Sequence, residues 1–296
     1  MFTGLSAFPL TPLDDDRFDE RAYAGLVTRL AEAGVDSIGA LGSTGSYAYL
    51  DREERRRAAR TAVQHADGTP VVVGIGALRT SQVQALAQDA QQAGASAVLL
   101  APVSYQPLTN EDVFALYATV AAELSVPLVV YDNPGTTRFT FSTELYARVA
   151  ALPAVAAIKI PPVPADPVSA RERVAAVRAA VPDHVSIGVS GDGVAATGLN
   201  AGCRAWFSVV GGTLPAAALP LVRAALGGDA EGAAAESERL RPLWELFASH
   251  GSLRVVAAIA EHLGLVAPRC LPRPVLGLPA AERERVARVV GQLGLA

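Results

Sequence analysis

Lys159 is the only lysine in a chain of 296 residues that carries 24 arginines. Arginine serves as well as lysine wherever a surface needs positive charge. It cannot replace an amine nucleophile, because guanidinium stays protonated and forms no imine. Lys159 lies in Val155-Ala156-Ala157-Ile158-Lys159-Ile160, an apolar run of strand length. Period-two alternation puts Val155, Ala157 and Lys159 on one face, with small residues beneath the lysine. Desolvation in such a place favours the neutral form of an amine, the form that attacks a carbonyl. The competing reading is a structural ion-pair lysine, but the neighbouring strand segments offer no acidic partner, since Asp132 is expected to point away from Tyr131.

Schiff-base chemistry also needs a group that moves protons, at carbinolamine formation, at dehydration and at carbon–carbon cleavage. Tyr131, at the end of an apolar run one strand away, is placed for it, with a core tyrosine as the alternative. Gly42-Ser43-Thr44-Gly45 offers two hydroxyls and a tight turn suited to a carboxylate, or is an ordinary turn before a helix. Ser190-Gly191-Asp192-Gly193 is open between a turn and a substrate contact. The four histidines, His65, His184, His250 and His262, fall away from these segments and make no metal site. Cys203 and Cys270 have no ligand spacing and read as two buried thiols. There is no phosphate-binding Gly-rich motif and no nucleophile elbow. The expected chemistry therefore uses no metal and no dissociable cofactor.

These residues need a scaffold. Runs at Leu5–Pro9, Ser37–Leu41, Val71–Ile75, Ala97–Ala101, Leu128–Tyr131, Ala156–Ile160, Val185–Val189 and Ala205–Val210 read as strands. Helical segments lie between them, with helix starts at Thr80, Thr109 and Ser142 and C-terminal glycines at Gly34 and Gly94. Eight such units predict an α/β fold, a (β/α)8 TIM barrel over residues 1–225, whose chemistry sits at the C-terminal strand ends. Residues 226–296 are helical only and predict a C-terminal helical extension of two or three helices. Hydrophobic residues make up 51 % of the chain and the net charge is −4, which provides a large core and no basic face for nucleic acid or anionic lipid. No run of about 18 apolar residues predicts a membrane span. Met1-Phe2-Thr3-Gly4 runs into the first strand without a basic leader, so a cytoplasmic setting is expected.

The ordered set Phe2-Thr3-Gly4, Thr11-Pro12, Gly42-Ser43-Thr44-Gly45, Tyr131-Asp132-Asn133-Pro134-Gly135, Ile158-Lys159, Ser190-Gly191-Asp192 and Phe207-Ser208-Val209 resembles the dihydrodipicolinate synthase and N-acetylneuraminate lyase family, across nearly the whole chain. The resemblance implies that Lys159 forms the imine with pyruvate or a related 2-oxo acid and that Tyr131 shuttles protons. It also implies that Ser43 and Thr44 hold the carboxylate and relay protons, that Gly191 and Phe207 lie near the keto acid, and that the chain is a homo-oligomer, dimer or tetramer. A tyrosine lent across a subunit interface in the synthase branch aligns with Ser104, with Tyr105 one place away. An arginine of that branch aligns with Thr136, with Arg138 two places away. Tyr105 and Arg138 are thus the candidate replacements. The expected function is a Schiff-base lyase or aldolase, by aldol cleavage or condensation or by sugar-acid dehydration. The alternatives are 4-hydroxy-tetrahydrodipicolinate synthase, which condenses pyruvate with aspartate semialdehyde, and a non-catalytic 2-oxo-acid-binding protein.

Overall fold

The computed structural model describes residues 2–295. Eight parallel strands close into a barrel: β1 Gly4–Ala7, β4 Ser37–Ala40, β5 Val71–Gly74, β6 Ala97–Leu100, β7 Leu128–Tyr131, β8 Val155–Ile160, β9 Ser186–Val189 and β10 Ala205–Ser208. Each pairs with its sequence neighbour, and β10 returns to β1. Both faces of nearly every strand are buried, which is why they read as continuous apolar runs. The fold is a (β/α)8 barrel with C-terminal helices, as the strand spacing predicts.

Two strands lie outside that prediction. β2 Leu13–Asp14 and β3 Arg17–Phe18 form a small antiparallel hairpin. Its turn residues, Asp15 and Asp16, have φ of 46° and 62°, the pair of left-handed residues that a two-residue hairpin needs. Asp-Asp lacks the glycine that normally announces such a turn.

The helices between strands are α1 Glu20–Glu32, α2 Arg52–His65, α3 Thr80–Ala93, α4 Asn110–Ala121, α5 Pro134–Thr137, α6 Thr143–Ala150, α7 Pro167–Ala180, α8 Ala195–Asn200 and α9 Pro215–Leu226. Thr109 and Ser142 cap α4 and α6 by accepting hydrogen bonds from backbone N–H groups three residues on. Four helices follow α9: α10 Ala230–Arg239, α11 Arg241–His250, α12 Ser252–His262 and α13 Ala280–Gln292. Two or three were expected. The extra one arises because Leu240 ends α10 while Pro242, lacking an N–H, starts α11 at once. No loop separates them in the sequence.

The outer faces of the strands pack on the helices, and a second cluster fills the barrel: Phe8, Val72, Leu99, Val129, Tyr131, Ala157 and Phe207. Phe8 and Phe207 fit because Gly39 and Gly188 face them. A Cβ at either glycine would stand 2.4 Å from the opposing ring. Val155, expected on the same face as Lys159, belongs to the outer cluster instead. Leu128 pairs with Val155 but Val129 pairs with Ala157, so the ladder skips Ala156 and reverses the facing of the first residue of β8.

Candidate active site

A cavity of about 940 Å³ opens at the C-terminal ends of the barrel strands. Ser43, Thr44, Tyr131, Lys159, Gly191 and Phe207 all line it. A groove of about 1090 Å³ elsewhere, between Asp14–Asp16 and Arg273–Leu278, contains none of these residues.

Lys159 and Tyr131 are direct register partners on β8 and β7. Lys159 is 6 % exposed, and its amine lies 4.1 Å from the ring centroids of both Phe8 and Tyr131, and 5.6 Å from that of Phe207. Among the described residues no carboxylate forms a salt bridge with it. Three aromatic rings thus surround the only lysine where an ion-pair lysine would have an acid. Asp132, next to Tyr131, turns away to accept a hydrogen bond of 2.5 Å from the Tyr146 hydroxyl in α6. Burial raises its pKa.

The Tyr131 hydroxyl is held from two sides. The Asn133 amide donates to it at 2.8 Å, and the Ser43 hydroxyl lies 3.2 Å away. Asn133 also reaches the Ser43 oxygen at 3.4 Å. With its lone pairs engaged by the amide, the phenol can direct its proton at Ser43. Ser43 reaches this place because the chain reverses sharply after β4. Leu41 at φ 57° and Ser46 at φ 52° bracket the turn in left-handed backbone, and the Ser46 N–H donates to the Ser43 carbonyl. Non-glycine residues in that region cost on the order of 1 kcal/mol or more each, so the surroundings hold them there. Thr44, also expected to help Tyr131, is buried in the same turn and lines the cavity, but makes no hydrogen bond to the phenol.

The model of the dihydrodipicolinate synthetase family matches residues 1–293. The 4-hydroxy-tetrahydrodipicolinate synthases of Methylococcus capsulatus and Halorhodospira halophila are 31 % and 32 % identical to this chain, covering 96 % and 100 % of it and 96 % and 98 % of their own length. A solved dihydrodipicolinate synthase of Agrobacterium tumefaciens is 49 % identical, covers 99 % of this chain and 98 % of its own, and superposes with a TM-score of 0.95. The chain belongs to the dihydrodipicolinate synthetase family. It is therefore an enzyme of the class I aldolase and lyase type, which forms a lysine Schiff base with a small 2-oxo acid.

In this member of the dihydrodipicolinate synthetase family, two residues expected near the substrate lie outside the cavity of the single chain. Tyr105 is 88 % exposed in the segment between β6 and α4, and Arg138 is exposed at the C-terminal cap of α5. Neither lines the cavity. Asp192, left open by the sequence, is buried and ties two loops together. It accepts from the Trp206 indole at 2.9 Å and from the backbone N–H groups of Val209 and Val210 at 3.2 and 2.7 Å. Burial raises its pKa against those bonds. Gly191 has φ of 85°, and a Cβ there would meet Pro162 at 2.7 Å.

Further residues complete the site. Asn133 belongs to the Tyr131-Asp132-Asn133-Pro134-Gly135 segment, but its role depends on a side-chain direction that the sequence does not encode. Tyr47 also lines the cavity, with burial pushing its phenol up to about 12. The Arg55 guanidinium lies 5.2 Å from the Tyr47 ring and donates to the carbonyls of Gly74 and Gly76. Burial without a carboxylate partner brings Arg55 down to about 10. Among the described residues no group of acids, histidines or cysteines could hold a metal ion, and no helix is long and apolar enough to cross a membrane.

Proposed function

We propose that Lys159 is the imine-forming residue, acting on pyruvate or a related 2-oxo acid. The observation that carries this reading is the chain's only lysine placed in register with Tyr131, inside an aromatic box at the catalytic end of the barrel. The Lys159 nitrogen attacks the ketone carbon, and the ketone oxygen takes a proton to give a carbinolamine. Loss of water leaves a protonated imine, which draws electrons from the adjacent carbon and lets it lose a proton or break a bond. Tyr131 moves these protons, oriented by Asn133 and Ser43. The turn of Ser43 and Thr44 receives the carboxylate, and Gly191 and Phe207 shape the space beside the keto acid. Tyr105 and Arg138 lie outside the lining of the single chain's cavity and are assigned no step in this scheme.

Aldol cleavage, aldol condensation and sugar-acid dehydration all pass through this imine. The names of the relatives favour a second reading, condensation of pyruvate with aspartate semialdehyde, which consumption of that aldehyde would report. Family membership also supports a homo-oligomer, dimer or tetramer, working in the cytoplasm.

The test is intact-mass spectrometry after incubation with pyruvate and borohydride, followed by peptide mapping. A stable pyruvyl adduct on the Lys159 peptide is expected, and none in Lys159→Arg. Because there is one lysine, any trapped side-chain amine is identified without ambiguity. If neither pyruvate nor a panel of longer 2-oxo acids leaves an adduct on the folded protein, Lys159 is structural.

A further inference from the structure

The cavity has two unlike ends. Its floor carries Lys159, Tyr131, Ser43 and Asn133, already described. Its outer wall includes Trp244 and Phe247 of α11 and Leu253 of α12. Both aromatic residues are half-buried, with ring centroids 5.7 Å apart and planes inclined at 57°. The Trp244 indole N–H donates to the Ser237 carbonyl at 2.9 Å, which fixes the ring and leaves it no polar atom to offer a ligand. Its base packs on Gly193, where an added Cβ would lie 3.6 Å from the Trp244 Cβ. This is a rigid apolar surface facing the space above the amine.

Charge is distributed as unevenly. Lys159 is the only cationic side chain among the lining residues. The two lining carboxylates, Asp132 and Asp192, are engaged by Tyr146 and by Trp206 with two backbone N–H groups. The hydroxyls of Thr136 and Thr137, the polar groups of α5 nearest the mouth, both donate to the Asn133 carbonyl. Once Lys159 is a protonated imine, its single charge is matched by the carboxylate of the bound 2-oxo acid. A second carboxylate on the reacting partner would enter the cavity with no cation to meet it and two aspartates nearby.

Resting on the Lys159 reading above, we infer that the second reactant is an uncharged aldehyde whose carbon body packs on Trp244 and Phe247. In condensation, the enamine carbon of Lys159-bound pyruvate bonds to the aldehyde carbon. The aldehyde oxygen takes the Tyr131 proton and becomes a hydroxyl. Water then hydrolyses the imine, freeing the amine and a 4-hydroxy-2-oxo acid, and cleavage is the same sequence reversed. Every atom comes from pyruvate, the aldehyde and water.

The test compares matched aldehydes with pyruvate in the purified full chain: benzaldehyde against 4-carboxybenzaldehyde, and butanal against 4-oxobutanoate, with product read by mass spectrometry. The neutral member of each pair is expected to have a kcat/KM at least tenfold higher. Trp244→Ala is expected to lower the neutral rate about tenfold, mainly through KM, and Trp244→Phe to restore part of it. If Trp244→Ala does not fold, Phe247→Ala gives the same readout. Equal or better turnover of the carboxylated aldehydes overturns the inference. So does indifference of the neutral rate to both aromatic substitutions, or failure of all four aldehydes while pyruvate is still trapped on Lys159. Absence of trapped pyruvate would instead sink the Lys159 reading, and this inference with it.

Discussion

The floor of the cavity is built by strands and its outer wall by helices, and the two follow different physical rules. On the floor, Lys159 and Tyr131 face each other because β7 and β8 pair in one register, and a slip by one residue would turn either side chain out of the barrel. Phe8 and Phe207 occupy the interior only because Gly39 and Gly188 make room. Each floor residue is therefore fixed by several others. The wall residues Trp244 and Phe247 sit on one face of α11, where a substitution changes a surface without disturbing a ladder. On the proposed reading, the imine chemistry belongs to the part that cannot vary singly, and partner choice to the part that can.

The sharpest way to break this division is Tyr131→Phe, which removes one oxygen and leaves the ring beside Lys159. General acid–base groups contribute about 10²–10⁴-fold, so kcat/KM should fall by that order, with borohydride trapping of pyruvate slowed as well. A loss under tenfold would mean that Ser43 or water carries the proton and that the floor is less specialised than its hydrogen bonds indicate. A smaller effect is expected from Gly188→Ala. The new methyl would stand 2.4 Å from the Phe207 ring edge and 3.0 Å from the Ala205 Cβ. Overpacking of this kind costs about 1–3 kcal/mol, read as a lower denaturant midpoint with an unchanged slope. An unchanged midpoint would show that Phe207 turns aside freely and that the aromatic box is not rigid.

The same division explains what could be read from sequence. All eight barrel strands stand within two residues of where their apolar runs put them, and the lone lysine is where chemistry would need it, because burial and strand period leave direct marks on residue order. Tyr131 and Lys159 were legible as a pair for that reason. Asn133 was not, because its amide reaches Tyr131 only through the conformation that follows the strand end. Ser43 rather than Thr44 meets the phenol because left-handed backbone at Leu41 and Ser46 sets the turn, and neither residue type advertises it. Trp244 and Phe247 carry the pattern of an ordinary amphipathic helix, and only the packing of α11 over the strand ends makes them part of a cavity. Tyr105 and Arg138 are exposed outside the single chain's cavity, and the direction of a loop side chain is not written in residue order.

Whether the helical extension is as firmly held as the barrel can be read from the two cysteines, one in each part of the chain. Cys203, two residues before β10, is buried in the cluster between strands and helices, and Cys270 lies in the cluster where Leu10 and Leu26 of the barrel meet Val256, Ala257 and Ala260 of α12. Burial pushes both thiols up to about 12. A raised thiol pKa leaves less thiolate at a given pH, so at pH 8 roughly one molecule in 10⁴ carries the reactive form at either site. Native labelling should accordingly be slow and should gain about tenfold per pH unit until the fold opens. The shared cluster, with the Leu13 N–H donating to the Cys270 carbonyl at 2.9 Å, ties the helical extension to the barrel. Both thiols are therefore expected to be modified at the same rate, at the rate of global unfolding, when measured by mass spectrometry in mild denaturant. Faster labelling of Cys270 would show that the extension loosens first. The wall carrying Trp244 would then be a mobile cover over a rigid floor, and aldehyde preference would soften with temperature while pyruvate capture did not.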